Sequence, residues 1–254
     1  MKISVCGKGG SGKSTITALL ANAAQEKRLP ILVVDSDESN SGLFRMLGFK
    51  DPPVSLMELV GGKTVLKKKM QEPGVLEQRA ITIEDIPAGY TRSRDGLVLV
   101  SIGKILQSLE GCACPMGVLS REFLRKLRLV EQGIAIVDME AGLEHFGRGI
   151  DEAIDKVVLV VEPSFESINI AERIRDLAAG MNKEVAAVLN KMPSEKVTKR
   201  LLEELSNRAL KLIGIIPNDL QVFEAGLEGR IPEWGEAAQA AGQILDGLLS
   251  RRQP

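Results

Sequence analysis

The sequence predicts an α/β fold: a doubly wound, mostly parallel sheet in a single domain spanning residues 1–254. Three observations carry that expectation. Apolar runs without polar alternation recur along the chain, as strands buried on both faces require. Helical patterns separate the runs, which gives the alternation of a doubly wound sheet. Each run also ends in a polar motif, and ligands of such sheets bind at the carboxyl ends of the strands.

The elements follow in order. Ile3-Ser4-Val5-Cys6 leads into Gly7-Lys8-Gly9-Gly10-Ser11-Gly12-Lys13-Ser14, and a helical pattern covers Thr15–Ala24. After Pro30, Ile31–Val34 ends in Asp35-Ser36-Asp37-Glu38-Ser39-Asn40. Ile134–Val137 ends in Asp138-Met139-Glu140-Ala141-Gly142, and Val157–Val161 in Glu162-Pro163-Ser164. Val185–Leu189 ends in Asn190-Lys191, and Leu212–Ile216 in Pro217-Asn218. Helices are expected over Ser167–Ala179, Ser194–Arg208 and Glu236–Leu249. Residues at about 50–80 are less regular and read as a helix-rich insertion, with one helix over Ser55–Met70. Lys63, Lys67, Lys68 and Lys69 make that helix basic, either as a solvated face or as a patch for an acidic partner. Ala80–Glu84 and Leu97–Ser101 are expected as strands, with a polar turn over Tyr90–Gly96.

Composition narrows the function. With 254 residues and 44% hydrophobic content the chain can bury a large core. Lys+Arg 33 against Asp+Glu 34 leaves a net charge of −1, which argues against a broad nucleic-acid footprint. Aromatic residues at 3% are too few for base-stacking platforms. No run of 18 apolar residues occurs, the chain starts directly in a strand, and three cysteines are no disulfide framework. A cytoplasmic protein without nucleic-acid or membrane partners is expected.

Gly7–Ser14 fits G-x-x-x-x-G-K-[ST] in its required context, strand before and helix after. Glycines let successive N–H groups point at a phosphate, and the helix adds its positive end. Gly7, Lys8, Gly9, Gly10, Ser11, Gly12, Lys13, Ser14 and Thr15 are therefore candidate nucleotide-binding residues, with Lys13 on the β- and γ-phosphates and the Ser14 hydroxyl on Mg²⁺. A carboxylate at the tip of a buried strand suits the Mg²⁺ shell, and Asp138 is the candidate. Asp35 and Asp37 are further acids beside the loop, or turn formers. His145, the single histidine, reads as structural rather than metal-ligating. Cys6 reads as a buried small hydrophobe.

Cys112-Ala113-Cys114-Pro115 has no other cysteine or histidine nearby. At i, i+2 the two are poorly placed for a comfortable disulfide, and they form only half of a tetrahedral site. Two subunits meeting on a two-fold axis would supply four thiolates, which suit Ni²⁺ or Zn²⁺ and not Mg²⁺. The pair can equally be two incidental thiols.

Lys8 within K-G-G-x-G-K-S makes the loop resemble the deviant P-loop of the SIMIBI ATPases, which include the nitrogenase iron protein, MinD, ParA and the anion-pump ATPases. The resemblance implies an ATP-closed homodimer in which Lys8 crosses to the partner's nucleotide. It also implies that Asp37 orients the attacking water, that Asp35 lies near the metal, and that Asn190, Lys191, Pro217 and Asn218 hold the base. The chain departs from the pattern at Glu38, where proline is usual, and at Glu140, where a small residue is common. With the C-x-C pair, the paired aspartates and Glu144-His145 added, nearly the whole chain is similar to the CooC family of nickel-insertion ATPases. That implies ATP, Mg²⁺ and Ni²⁺ or Zn²⁺ as ligands, Cys112 and Cys114 as metal ligands shared across the dimer, and a client such as carbon monoxide dehydrogenase. Two rival classes are an Fe–S reductase like the nitrogenase iron protein, whose cysteines are well separated, and a MinD-like positioning ATPase that would use the apolar residues of Ala238–Arg252 on a membrane.

Overall fold

A computed structural model describes residues 1–72, 74–105, 114–230 and 235–250. Its sheet has eight strands. In chain order these are β1 (Lys2–Gly7), β2 (Ile31–Asp35), β3 (Arg92–Arg94), β4 (Leu97–Ser101), β5 (Ile134–Asp138), β6 (Lys156–Val161), β7 (Glu184–Met192) and β8 (Lys211–Pro217). Their spatial order is β3-β4-β2-β5-β1-β6-β7-β8, and every neighbouring pair is parallel except β3–β4. The unbroken apolar runs are the central strands, buried along their whole length in β2, β5 and β6. No pleat face meets water there, so nothing favours a polar alternate residue.

Helices cover both faces. α1 (Lys13–Glu26) and α10 (Glu236–Leu249) pack together on one side, over Ile3, Val5, Val33 and Ile136. On the other side α5 (Cys114–Lys126), α7 (Phe165–Gly180) and α8 (Glu195–Asn207) cover Leu32, Val34, Val137 and Leu159. Ile244, Leu245 and Leu248 of α10 are all buried, and Ile244 sits against Gly214 of β8 so closely that a Cβ there would meet its Cγ1 at 2.2 Å. The apolar stripe of this last helix is spent on the core. Among the described residues no helix is long and apolar enough to cross a membrane.

The stretch after β2 holds α2 (Leu43–Met46), α3 (Leu56–Leu59) and α4 (Gly62–Lys69). The single helix expected over Ser55–Met70 is broken in two, because Gly61 and Gly62 take φ of 99° and 83°. Left-handed backbone at two successive residues ends one helix and re-aims the next. Ala80–Glu84 is not a strand either. Only Ile81 pairs, as an isolated bridge with Leu127, and Thr82 caps a short 3₁₀ turn at Ile83–Asp85. The polar region before Gly96 contains β3, an edge strand joined to β4 through Asp95 and Gly96 at φ 49° and 81°. Two successive positive φ values give the primed turn that matches strand twist, and two arginines on three residues suit an edge. Two short helices complete the chain, α6 (Glu144–Gly147) after β5 and α9 (Leu220–Leu227) after β8.

Candidate functional site

The site is assembled at the carboxyl ends of β1, β2 and β5. Sheet register sets Asp138 opposite both Asp35 and Val5, so the two acids stand side by side next to the loop that leaves β1. That loop needs its glycines. Gly7, Gly10 and Gly12 lie at φ 147°, 77° and 95°, and a Cβ on Gly7 would fall 2.5 Å from the Val160 carbonyl oxygen. A Cβ on Gly12 would fall 2.3 Å from Asn190 Nδ2. Lys13, buried, opens α1 behind the loop. Ser14 Oγ donates to Asp138 Oδ2 at 2.6 Å, Asn40 Nδ2 donates to Ser14 Oγ at 2.6 Å, and Thr17 Oγ1 donates to Asp138 Oδ1 at 3.4 Å.

The acids are short of positive charge. Burial and the neighbouring Asp35 charge raise the Asp138 carboxyl to about 7. Burial raises Asp35 to about 6, against the Lys104 ammonium 2.7 Å away. Buried, mutually repelling carboxylates beside a hydroxyl are a donor set for a hard divalent cation. Asp138, Ser14 and Asp35 therefore fit Mg²⁺. A metal ligates the ionised form, so below pH 7 its binding must displace a proton. Mg²⁺-nucleotide affinity should rise as pH goes from about 5.5 to about 7.5 and then level off. In Asp138→Asn the rise should shrink, which calorimetric titration across that range will measure.

Asp37 is buried, but its Oδ1 accepts from Ser39 N at 2.9 Å and Ser39 Oγ at 2.6 Å, so it closes its own turn. Glu140, one of the two departures in the sequence, pairs with Arg148 Nη1 at 2.5 Å. Glu38, the other, lies near it: burial first, then the neighbouring Glu140 carboxyl, pushes the Glu38 carboxyl up to about 7. The two unusual acids are thus a contact between the loops after β2 and β5.

Lys8 pairs within its own chain, with Glu162 Oε1 at 2.9 Å and Glu166 Oε2 at 3.6 Å. Lys191 Nζ donates to the Gly10 carbonyl at 2.6 Å and lies 3.5 Å from Glu162. Asn190 Nδ2 donates to the Ser11 carbonyl at 2.8 Å, so one of its two amide hydrogens is spent on the phosphate loop. Pro217 ends β8, and Asn218 N donates to the Met192 carbonyl at 3.1 Å beside the same edge.

Cys112 lies outside the described residues. Cys114 opens α5 with an exposed side chain and is disulfide-bonded, contrary to the expectation of two unbridged thiols. A sulfur in that state must be reduced before it can ligate a metal. Among the described residues no three His, Cys, Asp or Glu side chains cluster as a metal site. His145 is fully buried, with Nδ1 2.7 Å from Asp151 Oδ2, while Ser4 Oγ donates to Asp151 Oδ1 at 3.2 Å. It is a core histidine, as its isolation in the sequence implied. Cys6 is buried in β1, where burial pushes its thiol well up and leaves it inert.

Residues no motif pointed to tie the loops in place, and two of them, Ser120 and Arg148, join them to the cysteine helix. Lys104 Nζ, at the exit of β4, donates to Asp35 Oδ1, to the Asp37 carbonyl at 2.5 Å and to the Asn40 carbonyl. Ile105 N donates to the Glu38 carbonyl at 3.1 Å. Ser120 of α5 shares a 2.8 Å hydrogen bond with Ser36. Arg148, while holding Glu140, lies over Gly117 of α5, where a Cβ would sit 2.6 Å from its Cδ. A lone lysine at a strand exit and a serine inside a helix are too common to signal such roles in one sequence.

Comparisons with known proteins agree with this geometry. The family profile described as the CobQ/CobB/MinD/ParA nucleotide binding domain matches residues 3–232. An uncharacterized ATP-binding protein of Methanocaldococcus jannaschii is 42% identical over 90% of this chain and 92% of its own length. The carbon monoxide dehydrogenase accessory protein CooC of Rhodospirillum rubrum is 31% identical over 90% of this chain and 88% of its own. Among solved structures, the septum site-determining protein MinD of Pyrococcus horikoshii, complexed with Mg-ADP, superposes with a TM-score of 0.72 at 17% identity, over 98% of this chain and 96% of that one. At that identity the likeness shows the fold. With the phosphate loop, the strand-tip carboxylates and these relatives together, the chain belongs to the CobQ/CobB/MinD/ParA nucleotide-binding family of P-loop ATPases.

Proposed function

We propose that this ATPase is a metallochaperone: a homodimer that binds Ni²⁺, or Zn²⁺ in its place, between two Cys112/Cys114 pairs and passes nickel to a metalloenzyme of the carbon monoxide dehydrogenase type. The observation that carries the reading is the placement of Cys114 at the head of a helix tied to the nucleotide loops through Ser36–Ser120 and Glu140–Arg148. Support for the client comes from the relative named as a carbon monoxide dehydrogenase accessory protein. Soft thiolates suit nickel or zinc, and four of them need two chains.

Lys13 and the loop amides bind the phosphates, and Ser14, Asp138 and Asp35 would hold Mg²⁺. When bound, that ion screens the charge of the phosphate oxygens during transfer. Asp37 gives up its contact with Ser39 to orient water, and Lys8 leaves Glu162 for the partner's nucleotide. Glu162 thereby holds the trans lysine at rest. Lys8→Ala should keep nucleotide affinity and lower the dimer's turnover at least about tenfold, as for other cations supplied in trans to phosphoryl transfer. Steady-state ATPase assays over a range of protein concentrations test it, and normal turnover would remove the trans role.

ATP can drive the metal site only by binding the closed dimer better than the open one. Ser120 joins the loop after β2 to α5 directly, and Lys104 grips that loop from the exit of β4, where the neighbouring Gly103 lies against Met116 of α5. Lys104→Met should still bind ATP, but its Ni²⁺ affinity should be the same with ATP and with ADP. Ser120→Ala should act in the same direction, less strongly. Competition against a chromophoric chelator reads both; a wild-type nucleotide dependence in Lys104→Met contradicts the link. The function itself is tested by delivery. Nickel-loaded protein should activate nickel-free carbon monoxide dehydrogenase with MgATP and fail to do so without it.

A further inference from the structure

The lysines of α4 find a place beside a second cluster of cations. A cavity of about 390 Å³ opens between the C-terminal half of α5 and the segment that follows α4. Four arginines line it: Arg79, Arg121, Arg125 and Arg128. Its two acids do not balance them. Glu122 is consumed by the wall, accepting from Val75 N at 2.6 Å, Leu76 N at 3.2 Å and Lys126 Nζ at 2.5 Å. That leaves Glu72. Among the described residues none of the four guanidinium groups is in an ion pair; Arg121 and Arg128 reach only backbone carbonyls. The last turn of α4 adds Lys67, Lys68 and Lys69 immediately before Met70 at the cavity wall. In a chain of net charge −1 this is a local excess of positive charge.

The helix macrodipole accounts for a preference for cations in a last turn, but not for four arginines converging on one concavity from two segments. Guanidinium forks match carboxylates and phosphates in bidentate fashion. Lys67 and Lys68 are exposed just before Met70 of the cavity wall, so positive charge near the cleft is not confined to its lining. No aromatic side chain lines it, which removes the stacking that single-stranded nucleic acid uses. We infer that the cleft between α5 and the segment following α4 docks an acidic peptide segment, a run of Glu or Asp side chains on a partner protein. The inference is independent of the metal reading, because α5 runs from Cys114, on the side of the strands' carboxyl ends, to their amino ends, where Lys2 Nζ at the start of β1 donates to the Leu124 carbonyl and Ile81 N donates to the Lys126 carbonyl.

Fluorescence anisotropy with labelled octaglutamate and the full-length protein tests it. Wild type should bind saturably, more weakly as salt rises. Arg79→Glu/Arg125→Glu, both exposed positions, should weaken binding at least about tenfold, with ATP hydrolysis unchanged. The equal charge change Arg173→Glu/Lys196→Glu, at exposed positions on α7 and α8, should leave binding at the wild-type level. Absence of saturable binding, equal loss in both double variants, or tighter binding of a single-stranded oligonucleotide or anionic vesicles than of octaglutamate would each overturn the inference.

Discussion

Lys13→Ala should weaken ATP binding roughly a hundredfold or more, since charge-assisted hydrogen bonds to two phosphates contribute about 1.5–3 kcal/mol each. Lys13 is buried at the start of α1, behind a loop in which Gly7, Gly10 and Gly12 take positive φ. The neighbouring cations are engaged elsewhere at rest. Lys8 is held by Glu162, Lys191 by the Gly10 carbonyl, and Lys104 by Asp35. The fold should survive, because the deleted charge lies at the site and the core on either side of the sheet is apolar. Fluorescent-nucleotide titration of a variant with wild-type circular dichroism checks the result. Retained tight affinity would withdraw the phosphate-loop assignment.

The second large effect concerns the metal. Cys112→Ser, or Cys114→Ser, should abolish stoichiometric Ni²⁺ or Zn²⁺ binding by the reduced protein and spare nucleotide affinity. Removing one thiolate from each chain removes two of four ligands from a shared site, and hydroxyl oxygen is a poor ligand for a soft site. Reduction matters, because Cys114 is disulfide-bonded in this structure and only the thiolate ligates. Cys6 cannot take over, being buried in β1 with its thiol pushed up by burial. Equilibrium dialysis followed by elemental analysis reads the stoichiometry; an unchanged value would remove both cysteines from the site.

Much of the framework was legible because it follows from periodicity. Unbroken apolar runs such as Ile134–Val137 can only be strands covered on both faces, and each fell in the parallel sheet. Gly7–Ser14 was legible because its function is carried by local backbone. What failed was local too: Gly61 and Gly62 broke a helix that apolar spacing had joined, and Ala80–Glu84 lacked a partner strand for more than Ile81. The long-range polar contacts were not legible. Lys104 reaches Asp35 across 69 residues, and Ser120 reaches Ser36 across 84, pairings that only the sheet order brings about. Glu38 and Glu140 stood out singly as departures, but their meeting, and the Arg148 that holds Glu140, required the register between β2 and β5.

The claim that ATP closes a dimer around a shared metal is tested most directly by mass and metal content of one reduced sample. Light scattering coupled to gel filtration, with elemental analysis of the peak, should give a dimer carrying one Ni²⁺ per two chains with MgATP. A monomer with MgATP, or one metal per chain at any mass, would contradict it.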